Sequence, residues 1–328
     1  SSIINALRSA IHSCIYPDAV IIPSQNNFRH KQHGVAIVTA LLLTMLVAVT
    51  VTGMVWRQHV TLRRLENAAA GMQMQWIARG GLEWARLVMS GDAQSSSTDH
   101  LGEVWAQGLP STPLQENLLD KNSPHSEKLG DLSGRISDLQ ARFNVARLNG
   151  QGKVDPAALI IFERLMQGAG ASSGEAKAFA QRFFSANQNN ALASGRAWSR
   201  IEQLANAPEL RPYWPQLESQ LTWLPRTTLI NLNTASTSVL AAALPTFSDS
   251  QVRQLVTLRD QADFRNLTDA MQRLNDTNLT FPNDLLTTNS RYFLVEGDVI
   301  FGRLTRHYEW AIERNGRASR VIWQREAS

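Results

Sequence analysis

Hydrophobic and polar positions divide the chain into three regimes. The first is Val35 to Trp56, 22 residues with no charged side chain. At about 1.5 Å per residue they make roughly 33 Å of helix, enough to cross a hydrocarbon core of about 30 Å. A core helix of a globular protein carries a polar stripe. Here the only polar groups are Thr39, Thr44, Thr50 and Thr52, whose hydroxyls can bond back to their own backbone. The pattern therefore predicts a membrane span. It is too long for a secretory signal, and no small-residue cleavage site follows it.

The second regime continues as helix. From Arg57 to Met89, apolar residues at Leu62, Leu65, Ala69, Met72, Trp76 and Leu87 recur at steps of three and four on an otherwise polar background. The expectation is one helix of about 55 residues, with Gly71, Gly80 and Gly81 as weak spots and a stop in the Gly91 and serine-rich stretch before Thr98. The stripe is read as packing on the protein's own globular part.

The third regime mixes alternation with helical spacing. Residues 128–149 alternate (Leu132, Ile136, Leu139, Phe143, Val145) around Gly130 and Gly134, which predicts short strands and turns. At the C-terminus, runs 291–297, 306–314 and 317–325 alternate apolar and polar residues, and Asn315-Gly316 between the last two predicts a type I′ hairpin turn. Between these β regions, 151–289 is helical in pattern. Asp155-Pro156 supplies a cap and an N1 proline, and Ser172-Ser-Gly-Glu175 and Ser248-Asp-Ser-Gln251 are capping boxes. A weak repeat pairs Trp198, Ile201 and Leu204 with Phe264, Leu267 and Ala270, which predicts two related helical subdomains, 151–226 and 227–289. The layout is α+β: a long helix and an antiparallel sheet interrupted by an all-α insert.

Composition narrows the function. The chain has 328 residues, 43% hydrophobic and 18% charged, as folded proteins have, and a net charge of +4. Beyond residue 34 there are 29 basic against 27 acidic side chains, too balanced for a field-driven nucleic-acid binder. The one cysteine, Cys14, lies before the apolar segment, so disulfides and thiolate metal sites are excluded from everything after it.

Arg29 and Lys31 precede the apolar run and Arg57, Arg63 and Arg64 follow it, so charge alone leaves the orientation open. The residues Arg29-His-Lys-Gln-His-Gly34 before Val35 resemble a type IV prepilin-like leader. That resemblance implies cleavage after Gly34 by a prepilin peptidase on the cytoplasmic side, methylation of Val35, and a cytoplasmic N-terminus with a periplasmic C-terminal domain in a single-pass inner-membrane protein. The fifth position after the cut, a glutamate in major pilins, is Thr39. An acid there meets a neighbouring subunit's ammonium in the apolar filament core, and a subunit with nothing above it has no ammonium to meet. Residues 1–27 carry neither signal nor domain pattern and are read as an upstream-start extension.

From about Gly34 onward the chain resembles the type II secretion system protein K family, the large minor pseudopilins. The residues that carry this are the leader and its helix, Gly80-Gly-Leu-Glu-Trp-Ala85, the run Gly134–Val145, Asn231-Leu-Asn-Thr-Ala-Ser236 with Val239-Leu240, and Asn289-Ser-Arg-Tyr-Phe293. The resemblance implies a pilin-like fold with an insert of two SAM-like, helix-hairpin-helix-like subdomains. It also implies a pseudopilus tip complex with minor pseudopilins I and J that initiates or caps assembly for protein export. The expected division is a leader (1–34), a membrane helix (35–56), helix and first strands (57–150), two insert subdomains (151–226 and 227–289) and closing strands (290–328). Calcium enters only through the resemblance, because relatives bind it. The corresponding stretch 185–195 has no carboxylate, whereas a calcium site needs six to eight oxygens with several charges, so no ligands are assigned.

Two other classes of protein share some of these patterns. Asn231–Pro245 also looks like the first helix of a helix-hairpin-helix module, the alternative being a membrane-anchored DNA-binding or uptake protein. Its hairpin, Thr246-Phe-Ser-Asp-Ser250, lacks the glycines that bring backbone N–H groups to phosphate and adds a negative charge, so no nucleic-acid partner is expected. An enzyme is disfavoured as well. His100, His125 and His307 are isolated in sequence and no catalytic motif occurs. The aromatics Trp198, Tyr213, Trp214, Trp223 and Trp310 are read as core packing of the insert.

Overall fold

The computed structural model describes residues 33–115, 128–187, 201–276 and 279–327. The leader up to residue 32, His125 and Trp198 lie outside them. The chain divides into two compact units, 1–67 and 68–328. Helix α1 (His33–Ser95) is unbroken across Gly71, Gly80 and Gly81 and ends in the serine-rich stretch. In the first unit its apolar side chains are exposed, from Val35 to Trp56. The threonines turn their hydroxyls inward: Thr39 Oγ1 donates to the Val35 and Ala36 carbonyls at 3.0 Å, and Thr50 and Thr52 donate to carbonyls one turn back. No threonine hydroxyl needs a partner from outside, as a helix in lipid requires.

The second unit is built on a five-stranded antiparallel sheet. Its strands are β1 (Leu109–Gln115), β2 (Lys128–Asp138), β7 (Tyr292–Phe301), β8 (Leu304–Asn315) and β9 (Ala318–Ala327), in the order β1-β2-β7-β8-β9. Alternation sorts the strand residues. Ile136, Phe293, Val295, Val299, Tyr308, Trp310 and Ile312 share a core with α1, and Tyr292, Leu294 and Ala311 pack on the other face with Leu139 and Leu224. Strand β2 runs unbroken for 11 residues where short strands were expected. Gly134 is a point of close approach and not a break, since a Cβ there would stand 2.7 Å from the Glu296 carbonyl oxygen of β7.

Two expectations need correcting. Within the second unit the helix stripe does not pack on the sheet: Met72, Trp76 and Leu87 are each more than half exposed, and the buried face is Met74, Ala78, Leu82, Ala85 and Met89. Ala78 and Ala85 on that face, with Gly81, let the helix lie close to a sheet whose own Tyr308 and Trp310, stacked at 5.6 Å, fill the volume beside Met74, Leu82 and Met89. The last hairpin is shifted by one residue. Asn315 pairs with Ala318, leaving Gly316 and Arg317 as the loop, and of these only Gly316 has positive φ (60°). A glycine at the first central position with an ordinary second residue is the type II′ arrangement, not I′. The β7–β8 loop, Gly302-Arg303, is built the same way, with Gly302 at φ 59°.

Residues 139–291 are inserted between the paired strands β2 and β7. They form β3 (Phe143–Asn144), α2 (Pro156–Gly168), α3 (Ser173–Asn187), α4 (Ile201–Ala205), α5 (Trp214–Leu217), β4 (Leu221–Thr222), β5 (Ile230–Asn231), α6 (Thr237–Ala243), α7 (Asp249–Gln261), α8 (Leu267–Leu274) and β6 (Leu286–Thr287). The three caps form as the sequence predicts. Asp155 Oδ1 accepts from Ala157 N at 2.8 Å, and the Ser172/Glu175 and Ser248/Gln251 pairs bond reciprocally. One contiguous core runs through the insert, from Phe143, Phe162, Phe179 and Phe183 to Leu240, Leu255, Phe264 and Leu286. Trp310 belongs to the sheet core instead, and Tyr213, Trp214 and Trp223 are only half-buried at the edge of the insert core.

Candidate functional site

Asp138, the last residue of β2, is where the insert joins the sheet. The residue is 4% exposed, and among the described residues no ion pair reaches its carboxylate. Donors surround it: Gln140 N to Oδ1 at 2.7 Å, and Ser290 Oγ, Thr234 Oγ1 and Asn231 Nδ2 to Oδ2 at 2.6, 2.6 and 3.1 Å. Burial nevertheless outweighs these bonds and pushes the carboxyl up to about 6. Asn231 also donates to the Asp99 carbonyl (3.0 Å) and Ser290 Oγ (2.9 Å), and Asn233 exchanges bonds with the Phe264 backbone at 2.9 Å. The Asn231-Leu-Asn-Thr234 segment is therefore buried inside the molecule and offers nothing to a phosphate.

A second cluster lies beside it. Arg314 of β8 bonds Asp92 Oδ2 at 2.9 Å, both oxygens of Asp99 at 2.5 and 2.7 Å, and the Ser290 carbonyl, and it lies 4.8 Å over the Phe293 ring. Glu103 Oε2 accepts from Trp105 Nε1 at 2.6 Å and from His100 N. Burial first, then the Glu103 and Asp99 charges, raise the Asp92 carboxyl to about 6; burial also raises Asp99 against the pull of Arg314.

A third group runs across the sheet face opposite α1. Arg135 grips both oxygens of Glu296 at 2.7 and 2.8 Å, Arg325 holds Glu309 at 2.6 Å, and His307 stands between Asp298 (Nδ1, 2.8 Å) and Glu309 (Nε2, 3.3 Å). Burial works against the charged imidazole, but the Asp298 bond and the Asp298 and Glu309 charges prevail and raise its pKa. His307 is thus not isolated, and His100 too has Glu103 and Asp263 within 4 Å.

Both groups bring three potential metal ligands together: Asp92, Asp99 and Glu103, and Glu296, His307 and Glu309. Neither fits calcium. In the first, Arg314 already holds both Asp99 oxygens and Asp92 Oδ2, and in the second Arg135 and Arg325 hold Glu296 and Glu309, with an imidazole nitrogen as the third donor. Of the stretch 185–195, residues 188–195 lie outside the described ones, and Ser185 to Asn187 offer no carboxylate. Gly34 and Val35 fall in the first turns of α1, and Thr39 bonds only to its own helix. These three positions do not gather into a constellation. The junction around Asp138 was missed from sequence, although its members lie in the runs quoted above: Asp138 and Gln140 in one, Asn231 and Thr234 in a second, Ser290 in a third.

A helix long and apolar enough to span a bilayer, running on to pack against an antiparallel sheet, with a helical insert between two adjacent strands, is an α+β build that fits a protein with a single membrane anchor. Comparison with known proteins shows what the chain is similar to. The family model for type II secretion system protein K matches residues 230–289, which contain the Asn231 segment. Type II secretion system protein K of Pseudomonas aeruginosa is 27% identical over 300 residues, covering 84% of this chain and 86% of the relative. Its counterpart in Klebsiella pneumoniae is 28% identical over 146 residues, 43% of this chain and 41% of the relative. A chain in the crystal structure of the GspK–GspI–GspJ complex from enterotoxigenic Escherichia coli shares the fold. Its TM-score is 0.61 at 16% identity, covering 81% of this chain and 99% of that one. This chain is similar to type II secretion system protein K, as its sequence runs imply.

Proposed function

We propose that this chain is a non-catalytic minor pseudopilin of a type II secretion system, placed at the tip of the pseudopilus, where it initiates or caps assembly. The N-terminus is cytoplasmic, α1 crosses the inner membrane between Val35 and Trp56, and the sheet and insert are periplasmic. A prepilin peptidase cuts after Gly34 and the new terminus at Val35 is methylated. Minor pseudopilins I and J are the tip partners, a reading supported by the complex in which the solved chain of like fold was found. The observation that carries the proposal is the insertion of 139–291 between β2 and β7 of a sheet borne on a helix with an uncharged, exposed apolar segment. Such an insert gives the subunit a bulk that a repeating filament unit does not need. Thr39 supports the same reading, since its hydroxyl is satisfied within the helix and asks nothing of a subunit above.

The test is mass spectrometry of the mature N-terminus after co-expression with an active prepilin peptidase, together with co-purification of the chain with subunits I and J. A methylated Val35 and a stable three-subunit complex are expected. An intact leader, or no complex, overturns the proposal.

A further inference from the structure

Within the run Gly134–Val145, the Arg142 side chain takes no part in the junction. Asp138 and Gln140 hold the junction, Phe143 is fully buried in the insert core, and Asn144 Nδ2 donates to the Arg226 carbonyl at 2.7 Å. Arg142 stands in extended backbone (φ −112°, ψ 155°) just before Phe143, and because successive side chains of extended chain point oppositely, burying Phe143 turns Arg142 outward. It turns into a cleft of about 500 Å³ between the outer face of the sheet and the insert, walled by half-buried Trp214, Trp223 and Trp323.

Arg142 is poorly satisfied there. Of five guanidinium donors, one reaches the Glu218 backbone carbonyl, at 3.3 Å, and among the described residues no carboxylate pairs with it. The acids near it are engaged or turned to water: Arg135 holds both oxygens of Glu296, Arg325 holds Glu309, Asp138 accepts from Gln140, Asn231, Thr234 and Ser290, and Glu218 is exposed. Burial lowers the Arg142 pKa, against the upward pull of Glu296 and Glu218. The cleft thus presents one half-buried cation with donors to spare, beside aromatic walls. Nearby carboxylates disfavour a dianion such as phosphate, whereas a single carboxylate on an apolar carrier suits both the charge and the tryptophans.

We propose that this cleft is a docking site for an acidic side chain on a partly apolar, extended segment of a partner protein, whose carboxylate is taken by the Arg142 guanidinium while its apolar neighbours lie against the tryptophans. The inference goes beyond the assembly reading and is tested without the other subunits, so either can fail alone. The full chain in detergent micelles is titrated with acetyl-Leu-Glu-Leu-amide and acetyl-Leu-Gln-Leu-amide, followed by tryptophan fluorescence and calorimetry. The glutamate peptide is expected to bind about tenfold or more tightly than its isostere, with the difference shrinking at high salt. Arg142→Met removes the preference without shifting the melting temperature, and Arg142→Lys keeps part of it. Equal affinities, no binding of either peptide, or an undiminished preference in Arg142→Met overturns the proposal. The two-peptide comparison on the unaltered chain decides the matter even if the variants fold poorly.

Discussion

The Asp138→Asn substitution tests how the junction is held. In the folded protein the carboxyl moves from its ordinary 3.8 to about 6, so folding favours the protonated form by about 3 kcal/mol. The sign follows from proton binding. Between the two values the native state holds a proton that the unfolded state has lost, so the stabilisation is full below 3.8 and disappears as pH rises through 6. From pH 7.5 down to pH 4.5, Asp138 should add about 2 kcal/mol to the unfolding free energy of the unaltered chain. An amide cannot take up that proton. The asparagine oxygen can replace Oδ2 as acceptor for Ser290, Thr234 and Asn231, but its NH₂ then faces the Gln140 N–H that Oδ1 now accepts. One unmade buried bond costs about 1–3 kcal/mol, which the relief of a buried charge offsets at neutral pH.

The expected result is therefore a difference that grows as pH falls: near-equal stability at pH 7.5, and a variant weaker by about 2 kcal/mol more at pH 4.5. Urea unfolding of the full chain in detergent, followed through buried Trp105 and Trp310, reads this directly. Asp92 is raised to about 6 as well, but it is present in both proteins and cancels in the difference. Parallel curves would mean that Asp138 does not titrate between the two pH values. A difference that grew toward high pH would mean that the four donors hold the carboxylate ionised and that burial is the lesser effect.

Three further outcomes follow from the same structure. Arg314→Met leaves Asp92 and Asp99 buried without their cation and should cost about 3–5 kcal/mol, read as a lowered melting temperature by circular dichroism; an unchanged melt would show that the acids protonate at no cost. Gly134→Ala should cost about 1–3 kcal/mol in urea unfolding, because its Cβ would lie 2.7 Å from a backbone oxygen of β7 that cannot move alone; a neutral result would mean that the β2–β7 spacing gives way. Leu46→Arg places a charge in the middle of the exposed apolar segment and should cost about 2.5–3.5 kcal/mol of insertion, seen as loss of carbonate-resistant membrane association; full retention would count against the span.

Much of this fold was legible in local chemistry, and what was not depended on distance. Caps such as Asp155, Ser172 and Ser248 satisfy donors within four residues, so their letters suffice. The hairpin of β8 and β9 was visible, but its register was not. Asn-Gly favours the turn in isolation, while the pairing of Asn315 with Ala318 follows from which residues β8 buries, Trp310 and Ile312 among them, and from the bulge where Ile312 faces Val321 and Ala311 faces Trp323. The buried face of α1 was hidden because Ala78, Gly81 and Ala85 carry little hydrophobic signal. They are there because the helix must approach β2 closely, a Cβ on Gly81 standing 3.2 Å from Leu132. The bulky exposed residues Trp76 and Leu87 drew the stripe instead, and they leave that face of α1 open.

The same logic explains why several of the residues that carry the family resemblance, Asp138, Gln140, Asn231, Thr234 and Ser290, are buried. An insert of 139–291 between two adjacent strands must close a long excursion, and since closure entropy grows only with the logarithm of length, size is the lesser difficulty. The greater one is direction: β2 must end and β7 must begin side by side, with the insert core fixed beside them. Asp138 ends β2, Ser290 and Arg291 precede β7, and Asn231 and Thr234 come from the middle of the insert; all but Arg291 meet on one carboxylate, and Arg291 N donates to Gln140 Oε1 at 2.8 Å. A polar centre can enforce this where an apolar one cannot, because each missing donor costs a buried bond, whereas apolar side chains repack at modest expense. The polar letters Asp, Gln, Asn, Thr and Ser in those runs are thus what the joint between sheet and insert requires, and a DNA-contacting role for Asn231 would forfeit three bonds that the joint already uses.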